Sequence, residues 1–255
     1  MTLVTPLAIF MLGATIASFV GVVAARLNTG QGFLTGRSQC DACGAALAPR
    51  SLVPVFSYFA SRARARCCGV RLSPVSPLSE VLLGGLFVLA YASLGFSAAL
   101  PFFLLSLALL LLLVLYDFTH QILPPRPLAA FVAASALAGF LAAPALSDFF
   151  VTLLVASLVA ASLAAIHFLS RGRAMGLADA PLVFGLALLV GSAAFPGFIF
   201  SFWIGAVIGI ALLARRPVGS RMGVEVPFAP FLAAGFLLAY FTQWNPFTFA
   251  ATLFR

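Results

Sequence analysis

The chain has 255 residues, 63% of them hydrophobic and 8% charged, with a mean hydropathy of +1.16. A soluble domain carries about a quarter charged residues, so that class is excluded; repeated apolar runs of spanning length specify an all-α polytopic membrane protein. The net charge of +8 comes from 14 basic residues, all arginine, placed in short loops between apolar runs, where membrane topology explains them better than a nucleic-acid partner.

The first apolar run covers residues 3–25. It lacks a basic start, is long and is followed by arginine, so it is expected as a retained span and not a signal peptide. Gly13, Ala17 and Gly21 stand four residues apart on it, a small-residue stripe suited to close helix packing. Residues 26–79 are the one long polar stretch, an expected Arg/Cys-rich loop with Arg26, Arg37, Arg50, Arg62, Arg64, Arg66, Arg71 and all four cysteines. Residues 80–255 are expected to form a seven-helix membrane domain, from apolar runs at 80–95, 98–116, 127–143, 148–169, 181–194, 197–214 and 227–243. With the first run this makes about eight transmembrane helices.

If eight spans alternate, the loops after the odd-numbered ones share a side. Those loops hold Arg26 to Arg71, Arg126, Arg171, Arg173, Arg215, Arg216 and Arg221, leaving only Arg255 opposite. The positive-inside rule then makes that side cytoplasmic, with the N-terminus outside an inner (cytoplasmic) membrane. Asp117, expected at the end of the third helix, and Asp179, opening the sixth, fall at the cytoplasmic boundary; Glu80 opens the second helix on the same side.

Only six residues are acidic, and an ionisable side chain beside lipid is costly enough to need a reason. For Asp179 two readings stand: a helix N-cap ahead of Pro181, or a functional group. Asp148, after Ser147 and before an apolar run, is expected as a cap. Asp117 is harder to explain away, since it follows an unbroken apolar run and precedes Ile122-Leu123. Two carboxylates brought together resist ionising at once and hold one proton between them; one can then deprotonate a water while the other protonates a carbonyl oxygen or leaving amine. Two aspartates among eight helices also fit a proton-coupled transporter. His120, three residues from Asp117, shares its helix face and could bond the carboxylate or simply satisfy itself locally. His167 is expected at the interface.

Cys40 and Cys43 form C-x-x-C, a spacing that grips zinc, while Cys67 and Cys68 are adjacent. In a loop expected to be cytoplasmic, metal binding is favoured over a disulfide, with free thiols as the alternative. The basic loops also offer contacts for anionic membrane lipid.

Seven blocks in order resemble the type IV prepilin peptidase and N-methyltransferase family. Gly13 to Leu27 resembles its opening G-x-x-x-G-S-F-L-N-V-V-x-x-R-L, and Ser38 to Cys43 its S-x-C-P-x-C. Leu52 to Tyr58 matches I-P-x-x-S-x, and Cys68 to Glu80 resembles C-G-x-x-I-S-x-x-x-P-x-x-E. Asp117 to Pro124 resembles D-x-x-x-x-x-L-P, Gly176 to Gly191 resembles the block of G-x-G-D-x-K-L, and Val226 to Leu232 resembles I-P-F-G-P-F-L. The resemblance implies an aspartic endopeptidase with Asp117 and Asp179 as catalytic dyad. It would cleave the short basic leader of a prepilin or pseudopilin at the cytoplasmic membrane face, in type IV pilus or type II secretion systems. The new N-terminus would then be methylated with S-adenosylmethionine, for which the sequence shows no glycine-rich loop. The chain departs from the pattern at Ala178 (glycine in the family), Pro181 (lysine), Pro125 (aspartate), Ala17 (glycine), Gly21 (asparagine) and Ala65 (where a third cysteine would fall). Ala178 and Pro181 motivate a further reading, an inactive or altered-specificity relative that binds prepilins. The metal set expected is Cys40, Cys43, Cys67 and Cys68, holding a structural zinc.

Overall fold

In lipid every backbone N–H and C=O must be paired within its own segment or barrel, so long apolar runs fold as helices. The computed structural model describes residues 3–30, 32, 40, 42–46, 54–173, 175–214 and 226–246. Arg37, Asp41, Arg50, Arg215, Arg216, Arg221, Arg255, and the Ser38-Gln39 and Leu52-Val53 parts of two blocks lie outside them. The chain divides into two compact units, Met1–Gly95 and Phe96–Arg255.

In the first unit α1 (Val4–Arg26) packs along α3 (Val75–Leu94), and the short α2 (Phe56–Ala60) lies in the connecting loop. The small-residue stripe works over part of its length. Ala17 is fully buried, and a methyl on Gly13 would stand 2.9 Å from the Gly84 Cα. Gly21, by contrast, has nothing within 4 Å of where its Cβ would be, so it faces away from the packed side, on which Val20 and Ala24 are buried. α3 starts at Val75 and not at Glu80: Pro77 falls in its first turn, where a missing N–H costs no hydrogen bond. Glu80 is therefore inside the helix and buried.

The second unit holds α4 (Leu100–His120), α5 (Pro125–Ala142), α6 (Leu146–Leu169), α7 (Asp179–Val190), a 3-10 turn (Gly191–Ala193), α8 (Ala194–Ala214) and α9 (Ala229–Thr242). All eight apolar helices read from the sequence are present. Length separates them. Among the described residues six helical runs are long and apolar enough to cross a membrane, the last being Asp179–Ala214 taken together, and α9 is shorter. With α7 only 12 residues long, its rise is about 18 Å, well short of a hydrocarbon core of about 30 Å. It is apolar on every side and packs against α5, α6 and α9, as a helix enclosed by its neighbours must be. α4 packs on α5 and α9, and α8 on α9. The chain is a multi-pass helical membrane protein.

Asp148 does not cap α6. That helix begins at Leu146 with Ala145 as its N-cap and no side-chain cap bond, so Asp148 sits within the first turn. There it is favoured by the helix dipole and not by a capping bond.

Candidate active site and cysteine cluster

Asp117 lies in the last turn of α4 and is buried, 7% exposed. A carboxylate near a helix C-terminus faces carbonyl oxygens, so it needs a donor from elsewhere. That donor is the backbone N–H of Ala229, 3.2 Å from Asp117 Oδ2, at the start of α9. The local sequence explains why this N–H is free. α9 has Phe228 as an N-cap that makes no side-chain bond, so its first-turn N–H groups have no partner within the helix.

Asp179 is the first residue of α7. The N-cap is Ala178 and no side-chain cap bond is made, so the capping reading of Asp179 does not describe it. The Asp179 carboxylate instead accepts the Gly176 backbone N–H, while its own N–H donates to the Gly176 carbonyl (3.3 Å). The charge of Asp117 is felt at Asp179, the two residues standing on α4 and α7 inside the second unit. α9 packs against both of those helices, which lets its N-terminus reach this place.

The departures from the family pattern around Asp179 are accommodated by the backbone. Ala178 has φ −69° and ψ −15°, an ordinary right-handed conformation in which a Cβ costs nothing. Pro181 occupies the first turn of α7, where its missing N–H has no intrahelical partner to lose.

Neither histidine bonds an aspartate among the described contacts. His120 Nδ1 pairs with Thr119 Oγ1 (2.7 Å) and lies 3.3 Å from the Tyr116 carbonyl, its ring stacked on Tyr116 at 4.1 Å. It is satisfied within its own helix. His167, at the end of α6, donates from Nδ1 to the Met175 carbonyl at 2.8 Å. That bond ties down the loop whose next residue, Gly176, holds Asp179.

In the first unit, the sulfurs of Cys40, Cys43, Cys67 and Cys68 all lie within 4.8 Å of one another and are not bonded as disulfides. The separations are 3.4 Å for Cys43–Cys67, 3.8 Å for Cys40–Cys68 and 3.9 Å for Cys67–Cys68. Four thiolates placed tetrahedrally about zinc at about 2.3 Å would stand about 3.8 Å apart, so the set fits one ion. Adjacent cysteines, awkward on paper, are no obstacle here because two matching turns present the sulfurs. In one, the Cys40 N–H donates to the Ala45 carbonyl (2.9 Å) and the Gly44 N–H to the Cys40 carbonyl (2.8 Å). In the other, the Ala65 N–H donates to the Val70 carbonyl and the Gly69 N–H to the Ala65 carbonyl, both 2.8 Å. Gly44 (φ +70°) and Gly69 (φ +71°) occupy the same left-handed position, which favours glycine. Ala65 is thus the counterpart of Cys40, both buried, and Cys67 supplies the sulfur that Ala65 lacks.

Backbone N–H groups of Ala42 and Cys43 hold the Cys40 thiol down, to about 7, so it readily becomes a thiolate. The neighbouring sulfurs, Cys43 first, push Cys67 up to about 12. Burial, together with the Cys40 and Cys43 sulfurs, raises Cys68 against the opposing pull of the Val70 backbone N–H. A cation among the four would relieve that crowding of charge.

Two positioning contacts were not foreseen from the sequence. One is the Ala229 N–H on Asp117, whose only trace is the helix start at Ala229-Pro230. The other is Glu80, whose Oε2 accepts the Val55 N–H (2.6 Å) and whose Oε1 accepts the Ser76 hydroxyl (3.3 Å). Val55 has φ +60°, a strained value for a β-branched residue, and Glu80 pins it.

The model of the bacterial peptidase A24 N-terminal domain matches residues 11–94. A prepilin leader peptidase/N-methyltransferase of Bacillus subtilis (strain 168) is 30% identical over 240 residues, covering 91% of this chain and 92% of the relative. One of Myxococcus xanthus (strain DK1622) is 40% identical over 116 residues, covering 46% of this chain and 35% of the relative. One of Dichelobacter nodosus is 29% identical over 212 residues, covering 80% and 71%. No solved structure matches the chain.

Proposed function

Because this chain belongs to the prepilin leader peptidase/N-methyltransferase family, we propose that it is a membrane aspartic endopeptidase whose catalytic pair is Asp117 and Asp179. The observation that supports this reading is that the charge of Asp117 is felt at Asp179 on a separate helix, with Asp117 buried and bonded by the α9 backbone. A pair that shares one proton supplies a base and an acid at once. The ionised member takes a proton from water, and the oxygen attacks the scissile carbonyl carbon. The protonated member gives its proton to the carbonyl oxygen, so the charge that develops there is neutralised as it forms. Collapse of the tetrahedral species breaks the C–N bond, and the leaving nitrogen takes up the proton abstracted from water. No step needs a nucleophilic side chain.

The substrate in this reading is a prepilin or pseudopilin with a short basic leader, cut at the cytoplasmic face of the inner membrane. The arginine distribution supports the matching orientation, N-terminus outside. Methylation of the new N-terminus, with S-adenosylmethionine as donor, is part of the same reading and rests on the family. Cys40, Cys43, Cys67 and Cys68 would hold a structural zinc that fixes the loop of the first unit, small loops of this kind needing such a staple.

The test is incubation of the purified full chain in detergent with a prepilin, followed by mass. Loss of the leader reports the peptidase, and a further gain of one methyl reports the transferase. Asp117→Asn and Asp179→Asn are each expected to abolish leader loss; cleavage at the wild-type rate by either variant refutes the dyad.

A further inference from the structure

The loop of the first unit carries a cationic cavity that neither the peptidase chemistry nor the metal cluster uses. It has a volume of ≈ 370 Å³ and is lined by Tyr58, Arg62, Ala63, Arg64, Arg71 and Leu72, with no acidic residue among them. Its three arginines are exposed. We propose that this cavity binds the phosphate of an anionic membrane phospholipid.

The backbone concentrates positive charge here against its own preferences. Arg64 and Arg71 are antiparallel bridge partners. The bonds on either side run from the Leu72 N–H to the Ala63 carbonyl and from the Ala65 N–H to the Val70 carbonyl, both 2.8 Å. This makes Arg64–Arg71 a pair of the non-hydrogen-bonded kind, which brings opposed Cα atoms to about 4.5 Å and their side chains closer than the alternative register. Like charges directly opposed are unfavourable. Just before them Arg62 (φ +53°) and Ala63 (φ +57°) are both left-handed, a conformation that non-glycine residues adopt at a cost and that clusters at ligand-binding sites. An anion bridging the guanidinium groups turns that opposition into paired, fork-shaped hydrogen bonding.

The surroundings identify the anion's carrier. Phe56 and Phe59, on one face of α2 at i and i+3, are each 70% exposed, and Leu72, at the cavity wall, is 38% exposed. Aromatic side chains beside arginines are the composition of a surface lying in the headgroup region, apolar groups towards the acyl chains and cations towards the phosphates. A free phosphate would satisfy the arginines and leave both phenylalanines in water. A phospholipid satisfies both.

The experiment uses the full chain purified in neutral detergent, with binding followed by native mass spectrometry. Phosphatidylglycerol is titrated against phosphatidylcholine, with and without inorganic phosphate, for the wild type and Arg64→Gln/Arg71→Gln. Each arginine near a headgroup contributes about fivefold in affinity, so the double variant is expected to bind phosphatidylglycerol about 25-fold more weakly. Phosphatidylcholine binding should be unchanged, and phosphate at millimolar concentration should not displace the lipid. A double variant that binds phosphatidylglycerol as tightly as the wild type overturns the proposal. Displacement by inorganic phosphate overturns the choice of lipid. Should the double variant fail to fold, Phe56→Ser/Phe59→Ser carries the test. It keeps the arginines and is expected to lose the preference for lipid over inorganic phosphate; keeping that preference counts against a lipid carrier.

Discussion

Gly13 and Gly21 lie on the same helix, two turns apart, and the same substitution is expected to act in opposite directions at the two. A methyl on Gly13 would stand 2.9 Å from the Gly84 Cα, 2.9 Å from the Leu83 carbonyl oxygen and 3.0 Å from the Phe87 ring. Carbon atoms are at rest about 3.5–4.0 Å apart, so α1 and α3 must separate by at least about 0.6 Å to admit it. Two of the three opposing atoms are backbone and cannot rotate away, and Phe87, 1% exposed, has no room to move. Overpacking of this kind costs about 1–3 kcal/mol. At Gly21 nothing lies within 4 Å of the added Cβ, and alanine gains about 0.8–1.0 kcal/mol of helix propensity over glycine. Thermal unfolding of the full chain in one detergent, followed by far-ultraviolet circular dichroism, should therefore rank Gly21→Ala at or above the wild type and Gly13→Ala below it. Equal midpoints for the two variants, or the reverse order, would refute the packing argument for α1 on α3.

The other expectations concern the sites. His167 reaches Met175 through Nδ1; His167→Asn, which places an amide nitrogen at that distance, should hold kcat for leader cleavage within about threefold, while His167→Gln and His167→Ala should lower it by about tenfold with KM little changed. This expectation rests on Asp179 being catalytic, and is read only if Asp179→Asn is inactive. Purified protein should carry one zinc per chain by elemental analysis; Cys67→Ala should lose it, and moving the thiol back in Ala65→Cys/Cys67→Ala should restore it, since Ala65 is the counterpart of Cys40. Stripping the metal with a chelator should lower the unfolding temperature of the wild type. Glu80→Ala should cost about 1–3 kcal/mol in thermal stability by stranding the Val55 N–H, and Glu80→Gln, which keeps an acceptor, should cost less.

The eight apolar helices were legible because lipid leaves an apolar segment no alternative to helix, and hydropathy alone finds them. Their ends were less so. Glu80 looks like a helix start because polar residues precede it, but Pro77 is harmless in a first turn and α3 begins earlier. Asp148 looks like a cap for the same reason, and the helix starts ahead of it. That Asp117 and Asp179 act on one another was expected from their rarity in an apolar chain and not from their spacing, which says nothing of how helices are arranged; the structure has the charge of Asp117 felt at Asp179. The Ala229 N–H was invisible: a backbone donor leaves no letter of its own, and Pro230 marks only that a helix starts nearby. Of the two readings for His120 the local one holds, because Thr119 and Tyr116 on its own turn engage Nδ1. The second turn of the cysteine cluster was equally hidden, since Ala65 offers nothing to a search by residue type.

That second turn has a consequence for how such sites diverge. The paired bonds and the left-handed glycine set the form of the loop at both knuckles, while the identity of the side chain at its first position is free to vary if a thiol two residues on can reach the same point. Ion-holding capacity then belongs to the folded ribbon more than to any one codon. Pattern searches keyed to evenly spaced cysteines would pass over this set, although its four sulfurs lie within 4.8 Å of one another.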